Sequence, residues 1–511
     1  MINKKVLKIL ALAAAASMTL SATACLASTK KTDDTEDTAV QITAEDIQTN
    51  EEITNSEDGA HAIEISGETK EYKNVKVTKT GDSSQNDEAD FYGDNAAVFA
   101  TDKATLTLDN IVVDTNGTHA NAVFSYGEGT TVNISNSVIT TEGNCSGGLM
   151  TTGGGTMNAT NLNIHTTGNS SAAIRSDRGG GTVTVDGGTY VTDGTGSPVV
   201  YSTADITVSN AKMESTASEG VVVEGKNSVT LNNVDLTTDN NKKNSDKSTN
   251  YEAVMIYQSM SGDASVGLAT FTMNGGTLTN KKGDIFFVNN TATTITLEGA
   301  KIVNQDTSGV FLRAAAAGWG TEGSNGGKVN LYLKNQTQNG DIIVDKVSVL
   351  NMYLSDSSTY EGAINAANEG EVYVEIASGS KWILTGDSYV SSLTCGKDAI
   401  DLNGHKLYVG GVEYVAGTES EGSAIEIKSE GNGMAGGAPD GMPGATGGAQ
   451  GGAPGGMPDG APGEPPSGDP PSGERPEGNP PSGEMPGDPP QGGPGNGEEP
   501  PVKPGETQGN T

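Results

Sequence analysis

The feature that most limits how this chain can fold is a short alternating run that returns about every 25 residues. Its copies include Leu106-Thr107-Leu108-Asp109-Asn110, Val132-Asn133-Ile134-Ser135-Asn136, Met157-Asn158-Ala159-Thr160-Asn161 and Val183-Thr184-Val185-Asp186-Gly187. The series continues through Ile206-Thr207-Val208-Ser209-Asn210, Val229-Thr230-Leu231-Asn232-Asn233, Phe271-Thr272-Met273-Asn274-Gly275 and Ile295-Thr296-Leu297-Glu298-Gly299. Apolar and polar residues alternate within each run, which makes it a strand with one buried face. The closing Asn or Gly suits a tight bend that needs positive φ.

A further short strand follows each bend and puts Ile139, Ile164, Tyr190, Met213, Leu236, Leu278 and Ile302 in equivalent positions. Another opens each coil, as in Ala97-Val98-Phe99, Ala122-Val123-Phe124, Gly148-Leu149-Met150, Ala173-Ile174-Arg175 and Asp284-Ile285-Phe286-Phe287. None of these strands can bury its apolar face alone, so coils must stack on coils. A propeller blade would need about 40 residues, and the Leu-x-x-Leu-x-Leu pattern of leucine-rich repeats is absent. The expected fold is all-β: a right-handed parallel β-helix with three strands per coil, right-handed because parallel crossovers take that hand. About a dozen coils at ~4.8 Å each give a rod on the order of 55 Å long.

On this pattern, which covers residues 61–428, the chain resembles the pectin-lyase-like β-helix superfamily and, more narrowly, adhesin-like surface proteins of Firmicutes. The closing segment Trp382-Ile383-Leu384-Thr385-Gly386-Asp387-Ser388-Tyr389-Val390, followed by Leu393 and by Asp401-Leu402-Asn403-Gly404-His405-Lys406-Leu407, resembles the last coils of pertactin-like passengers. No membrane β-barrel sequence follows it, so the resemblance does not imply self-transport. It does imply two functional classes: surface binding, and polysaccharide lysis or hydrolysis.

The flanks differ from the body. Residues 1–24 read as an export signal: Lys4, Lys5 and Lys8, an apolar run from Ile9 to Leu20, then Ala22-Thr23-Ala24. Cys25 after Ala24 resembles a bacterial lipobox, with Ala22 where Leu is usual, which implies a lipid anchor at Cys25. Plain secretion is the alternative. Residues 25–60 are polar and acidic and are expected to be a flexible tether. Residues 429–511 are rich in Gly, Pro, Met and acid and are expected to form a disordered tail. Membrane association would run only through the lipid anchor, and the expected location is the extracellular surface.

The chain holds 65 Asp plus Glu against 30 Lys plus Arg, a formal charge of −35. That excludes nucleic acid as a natural partner, since phosphates need a cationic surface. It leaves calcium open as an inorganic partner, with no organic cofactor expected. Cys145 and Cys395 lie about nine coils apart, on the order of 40 Å, which rules out a disulfide between them. Both are expected to be small buried apolar groups.

Catalytic constellations are missing. There is no Gly-His-Gly with clustered Asp pairs, and His61, His119, His165 and His405 each stand alone in the sequence. No catalytic residue is assigned, so catalysis is the less favoured reading. Arg175, Asp177 and Arg178 are secondary candidates for a lyase base beside acidic groups, weighed against a local ion-paired turn.

Insertions are more informative, because repeat proteins lengthen loops where they need them. One coil adds Tyr257-Gln258-Ser259-Met260-Ser261-Gly262-Asp263 after its opening strand, and another adds residues 313–322, including Arg313, Trp319 and Glu322. Both leave the same corner, about 10 Å apart, and a third insertion spans 240–251. Tyr257, Gln258, Asp263, Arg313, Trp319 and Glu322 are therefore the candidate site for a glycan or a surface protein. An aromatic plate with polar neighbours suits a sugar ring. The competing reading is that Trp319 caps apolar surface. Finally, Phe99, Phe124, Met150, Val222, Met255, Phe286, Phe311 and Ile343 should face outward, either under a cover or as a docking surface. A passive structural rod completes the set of functional readings.

Overall fold

The structure, a computed structural model, describes residues 41–259 and 261–428. The expected export signal, Cys25, tether residues 25–40 and the tail 429–511 lie outside the described residues. The described residues are 49% strand and 2% helix, and their strands stack in parallel as a β-helix. The opening strands form one 11-stranded sheet running from Ile63–Ser66 through Val98–Thr101, Val123–Tyr126, Leu149–Thr152 and onward to Ile342–Val344. The alternating runs and the strands after the bend make up the other faces. In three coils the bend is so slight that one strand spans it: Thr131–Thr141, Gly155–Thr166 and Gly181–Thr192.

Register follows the expected repeat. Leu106, Val132, Met157, Val183, Ile206, Val229, Phe271 and Ile295 stand directly over one another. So do Ile139, Ile164, Tyr190, Met213, Leu236, Leu278 and Ile302. These inward columns merge into one continuous core. The bend residues take positive φ as their types require: 58° at Asn110, 49° at Asn136, 53° at Asn161 and 73° at Gly187. Side chains ladder there too, with Asn161 Nδ2 donating to Asn136 Oδ1 at 3.0 Å.

Two expectations need correction. The helix does not begin at His61. Glu51–Asn55 already pairs in parallel with Val75–Lys79, and Ile42 and Ile47 pack on Val112 and Val138. Asn163 Nδ2 donates to the Ile42 carbonyl at 2.8 Å. Acidic composition suggested a tether for 25–60, but Glu51 and Glu52 sit exposed while Ile53 packs on the core. A strand needs one apolar face, not an apolar composition.

Phe286 and Phe311 do not face outward. Phe286 pairs with Val254 and Leu312 in the inward column, and both phenylalanines are buried in the core. A one-residue shift in register exchanges the two faces of a strand, so Phe287 and Arg313 occupy the outward positions instead. Inside the rod the displaced rings form an edge-to-face row, with 5.4 Å from Phe271 to Phe286 and 5.7 Å from Phe286 to Phe311.

Close stacking has a steric condition. Gly117, Gly143, Gly168 and Gly194 recur at one corner, where a Cβ on Gly168 would lie 1.9 Å from the Gly143 carbonyl oxygen. Gly168→Ala must push coils apart and is expected to cost about 1–3 kcal/mol. Gly396→Ala, with nothing within 4 Å of its Cβ, should stay within about 0.5 kcal/mol of the parent. Urea unfolding midpoints of the two variants check this.

Candidate functional site

The site arises from the outward side of the opening sheet. There Phe99, Phe124, Met150, Arg175, Tyr201, Val222, Met255, Phe287, Arg313 and Ile343 form one column in register. Apolar side chains on the outside of a sheet must be covered or they attract partners. Most of this column is covered, by two separate lids.

The first lid is the insertion around the seven-residue helix Asn86–Tyr92. It buries Phe99, Phe124 and Met150 with Ala96, while Tyr126 packs against them. Thr152 Oγ1 ties it down by donating to the Phe91 carbonyl at 2.7 Å. Gly93 ends the helix at φ 87°, and a Cβ there would come within 2.4 Å of the Phe99 ring. The second lid joins the expected loops. Val222, Met255, Tyr257 and Phe287 are buried, with Tyr201, Ala315, Ala317 and Trp319 packed against them. Trp319 meets Tyr257 edge-on at 5.1 Å between ring centroids, so it caps apolar surface instead of standing free.

The candidates named from sequence therefore separate. Tyr257 is buried and its hydroxyl donates to Glu224 Oε2 at 3.1 Å. Gln258 is buried and donates to the Ala264 carbonyl at 3.1 Å, bracing its own loop. Arg313 is engaged by Asp284, with Nε to Oδ2 at 2.6 Å. Glu322 is exposed on its loop. Asp263 turns to Arg178, accepting from Nη2 at 2.7 Å and from Nε at 3.1 Å.

That last pair carries the centre of the site to Arg175, Asp177 and Arg178, between the two lids. Arg175 Nη2 lies 2.7 Å from Asp177 Oδ2 and 3.7 Å from Asp90 Oδ2. The Arg178 guanidinium lies 3.9 Å above the Phe91 ring. Burial pushes the Asp177 carboxyl above its usual range, with Arg175 pulling the other way. Arg175 stays charged, because Asp90 and Asp177 outweigh its desolvation. Its Nη1 is shut from solvent and has no hydrogen-bond partner. Beneath, Glu224 accepts from both the Tyr201 and Tyr257 hydroxyls, and burial raises its pKa.

A cavity of about 240 Å³ opens here, lined by Asp90, Phe91, Ser170, Arg175, Asp177, Pro198, Tyr201, Asn244 and Asp263, among others. The 240–251 insertion closes one side. Asn244 lies against Gly196, where a Cβ would come within 2.4 Å of its amide carbon. Arrangements of this kind present both donors and acceptors around one aromatic ring, which suits a hydroxyl-rich ligand.

Next to this cavity stands a cluster the sequence reading missed. His119 Nδ1 lies 3.1 Å from Asp90 Oδ1, and ligand atoms of Asp90, His119 and Cys145 all fall within 4.8 Å of one another. Cys145 is half-buried, unlike buried Cys395. The period did hold the signal, since His119 and Cys145 are one coil apart. What it could not supply was Asp90, which arrives on the inserted helix.

Asp90 and the Cys145 side chain hold the His119 pKa at about 10, up from 6.5. A raised folded-state pKa stabilises the protein most below the unfolded value and loses that contribution as pH rises through the folded one. In chelator-treated protein, the stability lead of the parent over His119→Gln should be full below pH 6.5 and decline between pH 6.5 and about 10. Urea melts across that range measure it, and a lead that grows with pH would contradict the assignment. Comparison of the chain with protein-family models, with curated proteins and with solved structures finds no match.

Proposed function

We propose that this chain is an exported surface protein of adhesin-like type whose β-helix binds a sugar residue of a glycan in the cavity between the lids, without catalysis. The observation that carries the reading is the cavity around Arg175. It is about 240 Å³ in volume, and Arg175, Asn244 and three aspartates, Asp90, Asp177 and Asp263, stand together on its wall. Asp90, Asp177 and Asp263 offer acceptors to hydroxyl donors, Arg175 and Asn244 offer donors, and Phe91 and Pro198 offer apolar faces. Export rests on the charged and apolar start of the sequence, and surface retention on Cys25. Among the described residues, no helix is long and apolar enough to cross a membrane.

Charge narrows the ligand. With three aspartates on the wall and a formal charge of −35 overall, a neutral or amine-bearing sugar is favoured over a polyuronate. Arg175 on the cavity wall and Arg178 beside it are both engaged by carboxylates, which removes the free base that lysis of uronates would need. This weighs for binding and against the lyase alternative.

Binding of the full chain to a glycan array tests the proposal. A neutral or amino-sugar ligand should be retained, and Asn244→Ala should weaken it about ten-fold, the value of one hydrogen bond worth ~1.4 kcal/mol. Asn244 is exposed, so its loss leaves the fold intact. An array with no binding, or binding indifferent to both Asn244→Ala and Tyr201→Phe, would refute the reading.

A further inference from the structure

The corner position occupied by His119 and Cys145 is an uncomfortable one for either residue. His119 N–H donates to the Asn144 carbonyl, Cys145 N–H to Asn169, and Ser170 N–H to Thr195, so these corners repeat from coil to coil. Each residue takes φ 55°, and Gly196 follows at φ 64°. Elsewhere the fold gives such φ values mainly to Asn and Gly. The corner thus carries a histidine and then a cysteine in successive coils, with serine at the same φ in the next.

Stacked corners aim both side chains to the same side, and the first lid brings Asp90 onto them. The result is one nitrogen, one sulfur and one carboxylate oxygen within 4.8 Å of one another. His119 is buried, while Asp90 and Cys145 are partly exposed, so a small ion can reach the set. We propose that Asp90, His119 and Cys145 form a binding site for a thiophilic divalent metal of the zinc class, with the fourth position left to water or ligand.

The donor set decides the metal. Calcium and magnesium require oxygen ligands, whereas mixed imidazole, thiolate and carboxylate donors suit zinc and its neighbours. Zinc bonds of about 2.0–2.3 Å put tetrahedral ligand atoms about 3.5 Å apart, a spacing that the His119–Asp90 pair at 3.1 Å and the 4.8 Å limit on the whole set bracket. Asp90 can serve with Oδ1, since Oδ2 faces Arg175 at 3.7 Å. Arg175 is fixed in turn by Asp177, an outer partner of the kind that orients ligating carboxylates. The metal proposal does not rest on glycan binding, although both use Asp90.

Cobalt(II) titration of the chelator-treated full chain tests this. One equivalent should give a thiolate-to-cobalt charge-transfer band, and zinc should bleach it. Cys145→Ser should abolish the band. Ser170 fills the same corner one coil on, so this variant is expected to fold, and its circular dichroism should match the parent. His119→Gln should also abolish the band. No band in the parent would overturn the proposal. A band that survives Cys145→Ser would do so as well, by placing the metal on another thiol. A band indifferent to His119→Gln would reduce it to adventitious thiol binding, with the same consequence.

Discussion

Everything in this protein depends on the parallel backbone ladder between one coil and the next. Because each residue bonds to its equivalent one turn away, like stacks on like, and any property of a position becomes a property of a column. Inward columns of Val, Ile, Leu and Phe fuse into one core. The ladder also sets a limit on spacing, met by glycine where one coil's corner lies against the carbonyl of the last. Its cost is exposed at the ends, where unpaired strands invite association. At the far end the last two strands pair antiparallel, Leu407–Val409 with Val412–Glu413, which turns the chain back on itself.

Column logic explains why the site lies where it does. The outward column of the opening sheet is apolar from Phe99 to Met150 and from Val222 to Phe287, and charged or polar between them at Arg175 and Tyr201, with Arg313 beyond the second apolar stretch. A leucine at Arg175 would continue the column without desolvating a charge, and buried ion pairs are weak stabilisers compared with such packing. The two lids cover the apolar stretches and meet around the charged one. Asp90, Asp177 and Asp263 come from three separate segments to satisfy Arg175 and Arg178. The cavity is the space left where two hydrophobic covers stop.

The candidate site was legible only in fragments. The loops after Ile256 and Leu312 stood out as interruptions of the repeat, and they do fold onto the expected corner. Their aromatic residues, however, serve the lid: Tyr257 and Trp319 pack on Val222, Met255 and Phe287. Arg175, Asp177 and Arg178 looked like a local turn, and two of them do pair locally. Their importance comes from Asp90 and Asp263, the latter 85 residues away from Arg178 in the chain. The helical insertion carrying Asp90 passed unnoticed because it sits between two coils without any run of its own.

By itself the sequence determined the period, the inward columns, the bends at Asn and Gly and hence the parallel β-helix, because these follow from alternation repeated at fixed spacing. It put the wrong face of two strands outward, at Phe286 and Phe311, since Ile285-Phe286-Phe287 and Val310-Phe311-Leu312 are apolar throughout and alternation then carries no signal. Only the tertiary structure decided where the insertions lie. They have no periodicity, and their partners are set by the shape of the surface left open after the coils have stacked. That is why His119 and Cys145, one coil apart, were placed by the repeat, while Asp90, which makes a cluster of them, was placed by packing alone.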